Sequence, residues 1–521
     1  MKIENDIQYP WVLTVEQTRA CERHTMESEP IASLDLMERA GERCAREIAT
    51  CLENQGWQRI LLFCGTGNNG GDGLVIARRL AEEAGWEDMS IHVVVCESDN
   101  PHYSEEMSAN LERWKKLCEK DSRLAWSLLD PDQPIIAEKE DLLIDAIFGI
   151  GLQRKIEGRL AKAVAMMNAS DAYTIAIDIP SGLFADKPTP PDQPMVMADM
   201  TLTIQYPKMA FFTPEAFPFY GEVRVMDIMM NPPKTMECQC EYLTHQAVHP
   251  LLHFNNIYAH KGTFGHGLLI SGSAAMPGAA ILAATAAMRG GIGKLTVHSA
   301  GAVTRILPTV LPEAILHADE DEQVVSRLDW NTLPASINAV AIGPGLGSAK
   351  ATVNVIKEVL DSYKAPLIID ADALNMLADN KTWLAFLPPY SILTPHLGEF
   401  ERLAGPAANH FERMEQARAF AERYQVILIL KGHHTLISLP DGAQFFNTTG
   451  NSGMATAGSG DTLTGLLLSL LAQRYNPVET AILGVYLHGL AGDLYIQDNA
   501  SQSLIASDLP KFFGKAFLEL T

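Results

Sequence analysis

The sequence predicts an α/β protein of two tandem domains, each built on a parallel sheet. Short apolar runs alternate with helical patterns along both halves of the 521 residues, a pattern typical of buried parallel strands separated by helices. The length also exceeds what one hydrophobic core supports, at roughly 150 residues per domain. Residues 227–244 interrupt the periodicity with paired prolines. We therefore predict a first domain over 1–233, a linker over 234–244 and a second domain over 245–521.

The first domain is predicted to begin with two helices over residues 14–54, where "TVEQ" is typical of a capping box. Six strands are predicted to follow, at 59–63, 91–95, 141–148, 173–179, 200–204 and 222–228. The second domain repeats the alternation, with strands predicted at 267–272, 294–299, 339–345, 366–372, 391–395 and 426–432.

Composition argues against several classes of protein. The formal net charge of −23 argues against nucleic-acid binding, because phosphate contacts need clustered Lys and Arg. No apolar segment approaches the ~20 residues of a membrane span. All eight cysteines precede residue 241 at irregular spacings, which favours a reducing, cytoplasmic location over a disulfide scaffold. Cys238 and Cys240 lack the second pair that a zinc site needs, so we predict that they are linker residues.

Three strand ends of the first domain carry polar side chains. These are Asn68, Asn69 and Asp72 after the first strand, Asp145 in the third, and Asp178 with Ser181 after the fourth. Open parallel sheets bind ligands at the carboxyl ends of their strands, and oxygen atoms from Asn, Asp and Ser suit a hard cation. The alternative is that Asp145 and Asp178 cap helices and that the glycines only form turns.

These motifs resemble a known family. "GTGNNGGDGLVIARRL", "DAIFGIGLQRK" and "IDIPSGL" are similar to the Rossmann-like epimerase domain of the NAD(P)H-hydrate repair enzymes, across most of residues 10–230. The resemblance implies a potassium ion at Asn69, Asp145 and Ser181, and a catalytic Asp178 that contacts the damaged ring. It implies that the hydrated nucleotide binds at Asn68, Asn69, Gly70, Gly71, Asp72, Gly149, Gly151, Arg154, Lys155 and Asp178.

One segment of the first domain departs from this family. In "TIQYPKMAFFTPEAF", Lys208 matches the family pattern, but Met209 and Ala210 replace its Pro-Gly pair. We therefore assign no substrate role to that loop.

The strongest motif is a glycine-rich loop that runs into an apolar helix, "GNSGMATAGSGDTLTGLLLSLLAQ", at 450–473. Main-chain N–H groups and the helix dipole attract anions at such a helix start. Asp461, in the first turn, is placed to accept a proton from a hydroxyl that attacks a phosphoryl group. Its alternative role is that of an ordinary helix N-terminal residue.

This loop resembles the anion hole of ribokinase-like enzymes. The motifs "HKGTFGHGLLISGSAAMPGAA", "AIGPGLG", "ILTPHLGEFERL" and "LKGHHTLIS" narrow the resemblance to the ADP- or ATP-dependent NAD(P)H-hydrate dehydratases, over roughly residues 245–515. It implies that the hydrate binds at Gly278, Gly345, His396 and Asp461, with Asp461 as the catalytic base. It implies an adenine nucleotide, with Mg²⁺, at Lys431, Gly432, His433, His434, Thr435 and Gly460. From the residues alone, a hydrogen bond within its own turn explains His396 slightly better than ligand contact does.

The function implied by the resemblance is the repair of hydrated NADH and NADPH. Water added to the reduced nicotinamide ring gives two epimers at the hydroxyl-bearing carbon. The first domain would interconvert the R and S hydrates, and the second would phosphorylate the S hydroxyl from ADP or ATP, after which phosphate leaves and NAD(P)H returns. The expected partners are the hydrates, the adenine nucleotide and further copies of the chain in a homo-oligomer. The alternative is a kinase of a vitamin-like alcohol that stops at the phosphate ester and carries an N-terminal nucleotide-binding module.

Overall fold

The computed structural model describes residues 9–52, 56–82, 89–130, 137–253 and 256–521. The chain divides after Cys238 into two units, Met1–Cys238 and Gln239–Thr521. Residues 53–54, the predicted end of the second N-terminal helix, lie outside the described ranges. Within those ranges, no helix has the length and apolar character needed to cross a membrane.

The first unit is built on a seven-stranded parallel sheet. Its strands are β1 (Arg59–Cys64), β2 (Ser90–Val95), β3 (Leu124–Leu128), β4 (Asp141–Ala146), β5 (Tyr173–Ile177), β6 (Met200–Ile204) and β7 (Glu222–Met226). Its helices are α1 (Val15–Ser28), α2 (Ser33–Leu52), α3 (Asn68–Glu82), α4 (Glu105–Cys118), α5 (Gly158–Asn168) and α6 (Phe217–Tyr220). The strand order is β3-β2-β1-β4-β5-β6-β7. All six predicted strands are confirmed, and β3 is an additional edge strand.

Alternate residues of the central strands face opposite layers of helices, since successive side chains of a strand point to opposite faces. Ile60 and Leu62 pack in one core with residues of α2, α3 and α4. Leu61 and Phe63 pack in a second core with residues of α5. The result is the predicted α/β/α sandwich. The predicted capping box is also confirmed, because the side chains of Thr14 and Gln17 cap α1 reciprocally.

The second unit is built on a ten-stranded sheet. Its strands are β8 (Cys240–Tyr242), β9 (His266–Ile270), β10 (Lys294–Ser299), β11 (Ile315–Ala318), β12 (Ala339–Ile342), β13 (Leu367–Ile369), β14 (Ile392–Leu393), β15 (Ile427–Leu430), β16 (Leu436–Ser438) and β17 (Gln444–Phe446). Its helices are α7 (His245–Val248), α8 (Pro277–Arg289), α9 (Gly301–Val310), α10 (Lys350–Ser362), α11 (Ala371–Asp379), α12 (Leu397–Ala404), α13 (His410–Tyr424), α14 (Ser459–Ala472), α15 (Pro477–Ile496) and α16 (Leu509–Leu520). The strand order is β11-β10-β9-β12-β13-β14-β15-β16-β17-β8.

Two sequence predictions need correction at one edge of this second sheet. Strand β16 pairs antiparallel with both β15 and β17, so the sheet is not wholly parallel. Strand β8 pairs with β17, which places Cys240–Tyr242 in the second sheet rather than in a linker over 234–244. Cys240 is accordingly buried, with its Sγ 3.8 Å from Gln444 Oε1. Strand β8 has only three residues, with an alternating buried pattern. A strand this short cannot be distinguished from a linker by its sequence pattern.

The cysteines form no disulfide. All eight are free thiols, and five are buried: Cys21, Cys44, Cys64, Cys96 and Cys240. The prediction against a disulfide scaffold is confirmed.

Candidate functional site

The polar residues predicted in the first unit meet at the carboxyl edge of its sheet. The strand order reverses beside β1, which lies between β2 and β4, and a crevice forms at such a point in open α/β sheets. Helix α3 begins at Asn68, directly after β1. Its glycines permit the close approach, because a Cβ at Gly70 would lie 1.9 Å from the carbonyl oxygen of Gly65. The sequence spacing therefore brings α3 onto the ends of β1 and β4.

Asp145 and Ser181 form one hydrogen-bonded cluster at this edge. Both residues are fully buried. Asp145 Oδ1 accepts a hydrogen bond from Ser181 Oγ at 2.6 Å, and Oδ2 accepts from the Ser181 main-chain N–H at 2.7 Å. Burial nevertheless raises the pKa of Asp145 to about 6, against the lowering effect of these hydrogen bonds. Asp145 therefore does not cap a helix, which was the alternative role for this residue.

Asn69 and Asp178 lie beside Gly149, which follows β4. A Cβ at Gly149 would lie 3.3 Å from Asn69 Oδ1 and 3.3 Å from Asp178 Oδ2. Asn69 is buried, and its Nδ2 has no hydrogen-bond partner among the residues that the structure describes. The three predicted strand ends thus converge on one small space, as expected from the parallel sheet.

Asp178 is held by a lysine that sequence reasoning set aside. Its Oδ1 lies 2.6 Å from Lys208 Nζ, and Lys208 is almost completely buried. Two half-buried acids also belong to this cluster. Burial, and then the nearby charge of Asp178, raises the pKa of Asp72 well above its ordinary value and also raises the pKa of Glu22. The sequence could have pointed to Lys208, because this residue matches a position of the family pattern. Nothing in the sequence pointed to Glu22, which lies on α1.

Some predicted residues lie apart from this cluster. Arg154 and Lys155 are exposed, and Lys155 forms an ion pair with exposed Asp192. A Cβ at Gly151 would lie 3.4 Å from a terminal nitrogen of Arg19.

The glycine-rich loop of the second unit ends where predicted, at the start of α14. Gly458 caps this helix with a left-handed backbone, φ 90°, a conformation that favours glycine. Asp461 stands in the first turn, and its Oδ2 lies 3.8 Å from the Cβ position at Gly458. Burial, and then the charge of Asp370, raises the pKa of Asp461 to about 7. A carboxylate with that pKa is suited to accept a proton near neutral pH.

Lys431 joins this loop to two other strand ends. It follows β15, and its Nζ donates to Asp370 Oδ1, after β13, at 2.9 Å. Asp370 Oδ2 accepts from Thr464 Oγ1, in α14, at 2.7 Å. Burial acts to lower the pKa of Lys431, but Asp370 and Glu399 outweigh it and raise the pKa. The ammonium lies 3.2 Å from the Cβ position at Gly460, beside the helix start.

Three predicted hydrate positions have distinct local roles. His396 caps α12, since its Nδ1 accepts from the main-chain N–H groups of Gly398 and Glu399 at 3.0 and 3.3 Å. The bond within its own turn is therefore present, and Nε2 of the half-exposed ring lies 3.4 Å from Glu399 Oε1. Gly345, with φ 63°, packs against the start of α8, where a Cβ would lie 3.0 Å from the oxygen of Met276. Gly278, in the first turn of α8, faces open space.

The predicted nucleotide positions 432–435 form the turn between β15 and β16. Burial, and then His433, lowers the pKa of His434 to about 3, and burial lowers the pKa of His433. Neither ring is therefore a cation at neutral pH. Within the turn, Thr435 Oγ1 donates to the Gly432 carbonyl oxygen at 3.0 Å, and the Thr435 carbonyl oxygen accepts from the Asn447 main-chain N–H at 2.9 Å.

Three further residues were missed from the sequence. In the sequence, Asp370 stands in a predicted strand with no motif that marks it. His488 lies in an apolar helical stretch, as a core histidine would, and Asp493 belongs to no motif. In the structure, His488 Nε2 lies 2.9 Å from Thr462 Oγ1 in the first turn of α14. Asp493 accepts from the main-chain N–H of Gly450 at 2.7 Å. Both side chains thus fix the ends of the glycine-rich loop.

Two family models match the chain. The model described as NAD(P)H-hydrate dehydratase matches residues 267–513. The model described as YjeF-related protein N-terminus matches residues 33–210.

Relatives match the whole chain or its second half. The chain is 35% identical to the bifunctional NAD(P)H-hydrate repair enzyme Nnr of Moorella thermoacetica, covering 96% of this chain and 96% of that protein. It is 37% identical to the ADP-dependent (S)-NAD(P)H-hydrate dehydratase of Bacillus subtilis, covering 51% of this chain and 94% of that protein. A similar solved structure is that of the Bacillus subtilis ADP/ATP-dependent NAD(P)H-hydrate dehydratase, co-crystallised with ATP and Mg²⁺. Its sequence is 32% identical, the match covers 54% of this chain and 98% of that chain, and the TM-score is 0.47. The full-length match shows that this chain belongs to the family of bifunctional NAD(P)H-hydrate repair enzymes.

Proposed function

We propose that the chain repairs hydrated NADH and NADPH in two steps. The first unit interconverts the R and S hydrates. The second unit removes water from the S hydrate at the expense of ADP or ATP, giving NAD(P)H and phosphate, with AMP when ADP is used. The observation that carries this proposal is the placement of Asp461 in the first turn of α14, beside the Lys431 ammonium at the glycine-rich loop.

The dehydration follows from that placement. Asp461 accepts the proton of the hydrate hydroxyl as the oxygen attacks the terminal phosphoryl group. Main-chain N–H groups at the start of α14, together with Lys431, stabilise the negative charge that develops on the phosphoryl oxygens. Phosphate is a better leaving group than hydroxide, and the lone pair of the ring nitrogen expels it to restore the reduced ring.

Mg²⁺ would enter with the nucleotide. No group of three or more His, Cys, Asp or Glu side chains placed to hold a metal ion occurs among the described residues. Mg²⁺ in nucleotide sites is usually held by one or two carboxylates together with the nucleotide phosphates and waters. When bound, Mg²⁺ neutralises phosphate charge.

A potassium ion fits the first unit at Asn69, Asp145 and Ser181. The buried Nδ2 of Asn69 lacks an acceptor, and turning the amide by 180° would place an oxygen at that position. Asp145 and Ser181 supply further hard oxygen atoms from neighbouring strand ends. Such an ion would offset the charges of the buried carboxylates and would orient the substrate.

The dehydration is tested with the variant Asp461→Asn, which keeps the size of the side chain but removes its basicity. Single-turnover dehydration of the S hydrate with ADP should slow by about 10²–10⁴-fold. Nucleotide affinity, measured by calorimetry, should change far less because main-chain N–H groups bind phosphate. The matched control is Asp498→Asn, at an exposed site of the same unit. Near-normal turnover of Asp461→Asn would exclude it as the base.

Product analysis separates repair from the kinase alternative. Both hydrate epimers are incubated with ADP and, separately, with ATP. Repair restores absorbance near 340 nm, whereas a kinase that stops early accumulates a stable phosphate ester. For the cation, replacing K⁺ with Li⁺ should slow epimerisation and leave dehydration largely intact, and equal epimerisation without K⁺ would exclude the ion.

A further inference from the structure

The buried ammonium of Lys208 has no donor left for a ligand. Its Nζ lies 2.6 Å from Asp178 Oδ1, and it donates to the main-chain oxygens of Tyr206 at 2.9 Å and Ile204 at 3.2 Å. An ammonium group has three N–H donors, and these three acceptors use all of them. Lys208 therefore acts on a substrate only through Asp178.

Only one oxygen of Asp178 is free to meet a substrate. Oδ1 contacts Lys208 and also accepts from the main-chain N–H of Ile204 at 3.2 Å. Oδ2 points instead to the space at Gly149, where a Cβ would lie 3.3 Å away. The backbone of Asp178 is left-handed, φ 67°, a strained conformation for a non-glycine residue. Lys208 thus fixes which oxygen faces the pocket.

Asp72 lies in a different environment from Asp178. It follows Asn69 by three residues on α3, so the two side chains share one face of that helix, and its principal charged neighbours are Asp178, Glu22 and Glu106. Burial, and then these carboxylates, raises the pKa of Asp72 well above its ordinary value, which favours its protonated form. Two acids whose environments differ in this way divide naturally into a proton donor and a proton acceptor.

We propose that Asp178 is the proton acceptor and Asp72 the proton donor of the epimerisation, with Lys208 as the positioning residue that aims Asp178. This inference rests on the proposed epimerase function of the first unit.

The hydroxyl-bearing carbon of the hydrate also carries the ring nitrogen, so the step balances as a ring opening. Asp178 takes the hydroxyl proton, and the freed O–H electron pair forms the second C–O bond. The C–N bond breaks, its electron pair stays on nitrogen, and nitrogen takes the proton of Asp72. Rotation of the resulting aldehyde presents its other face, and closure reverses every transfer. Both carboxyl groups return to their starting states, so no co-reactant is needed.

The test uses the full chain and four variants: Asp178→Asn, Lys208→Met, the double variant, and Lys120→Met as a control at an exposed lysine of the same unit. Epimer interconversion is followed without nucleotide by separating the R and S hydrates chromatographically. We expect Asp178→Asn to lower kcat by about 10²–10⁴-fold. Lys208→Met should lower kcat by about 10²-fold with KM within about threefold, since Lys208 does not touch the substrate. Lys120→Met should match the wild type.

The double variant distinguishes positioning from a general structural role. If Lys208 acts only through Asp178, the double variant should equal Asp178→Asn within about threefold. If the double variant loses the product of the two single-variant losses in kcat, or if Lys208→Met keeps the full rate, the assignment of Lys208 is overturned.

Lys208 also holds two main-chain carbonyls, so its replacement can disturb the fold. The variant Asp72→Asn leaves Lys208 in place and tests the proton donor independently. Asp72→Asn should lower kcat by at least about 10²-fold while thermal denaturation stays close to the wild type. A full rate in Asp72→Asn would overturn the assignment of the donor. A wild-type chain that fails to interconvert the epimers would refute the proposed function instead, before any variant is compared.

Discussion

Replacing Asp461 by Asn should make the second unit more stable at alkaline pH while it slows turnover by about 10²–10⁴-fold. In the folded chain the pKa of Asp461 is raised from 3.8 to about 7, first by burial and then by Asp370. The folded state therefore holds a proton that the unfolded state has already released. Stability from this group is complete below about pH 4 and is lost as the pH rises through 7. The asparagine side chain of the variant carries no charge at any of these pH values, so the variant does not lose this stability as the pH rises.

The magnitude follows from the shift. A change of about three pKa units corresponds to about 4 kcal/mol as an upper bound, and partial solvent contact reduces it to about 1–3 kcal/mol. For a unit of this size, such a gain corresponds to about 3–8 °C in Tm. We expect that difference between Asp461→Asn and the wild type at pH 8, and a much smaller one at pH 5.

The assay is calorimetric unfolding of the nucleotide-free full chain at both pH values. Subtracting the wild-type curve at each pH removes the titration of all other groups. Asp498→Asn should show no such pH-dependent gain, because that side chain is exposed. A difference in Tm that is the same at pH 5 and pH 8 would show that Asp461 has an ordinary pKa, and the case for a base tuned to neutral pH would fall.

Three further predictions concern other parts of the chain. A fragment that ends at Cys238 should fold and epimerise the hydrates without adenine nucleotide, and a disordered fragment seen by circular dichroism would contradict the division into two units. Gly70→Ala should destabilise the first unit by several kcal/mol in urea unfolding, since its Cβ would lie 1.9 Å from the oxygen of Gly65; an unchanged midpoint would show that this contact relaxes. His396→Asn should keep the cap on α12 and hence Tm, because Asn caps helices well, while KM for the S hydrate rises; an unchanged KM would leave His396 with the capping role alone.

Local signals predicted the elements that are buried and regular. Both the capping box at Thr14 and the central strands were found, because continuous apolar runs and reciprocal caps are encoded within a few residues. The strands β3, β11, β16, β17 and β8, which lie at or near the edges of the two sheets, were missed. They are short, and β3 and β11 expose much of their surface, so they lack a continuous apolar run.

The site was predictable where the chain carries a motif and not where it depends on distant partners. Asn69, Asp145 and Ser181 follow predicted strands, and their convergence follows from a parallel sheet. Lys431 was predicted as a nucleotide contact, but its partner Asp370 lies 61 positions away. Only the folded sheet, which sets β13 and β15 on either side of β14, brings the two together. Lys208 was recognised by position, yet its role depends on an ion pair that its immediate neighbours do not reveal.

The buried thiols of the first unit affect how the chain responds to electrophiles and peroxides. Burial raises the pKa of Cys21 to about 11 and raises the pKa values of Cys44, Cys64 and Cys96 further still. The thiolate is the reactive form of cysteine, and oxidation depends on thiolate character and access. These side chains are therefore poor targets for alkylation or sulfenic acid formation while the unit is folded. The cysteines in the core of the first unit can therefore stay reduced in conditions that oxidise exposed cysteines.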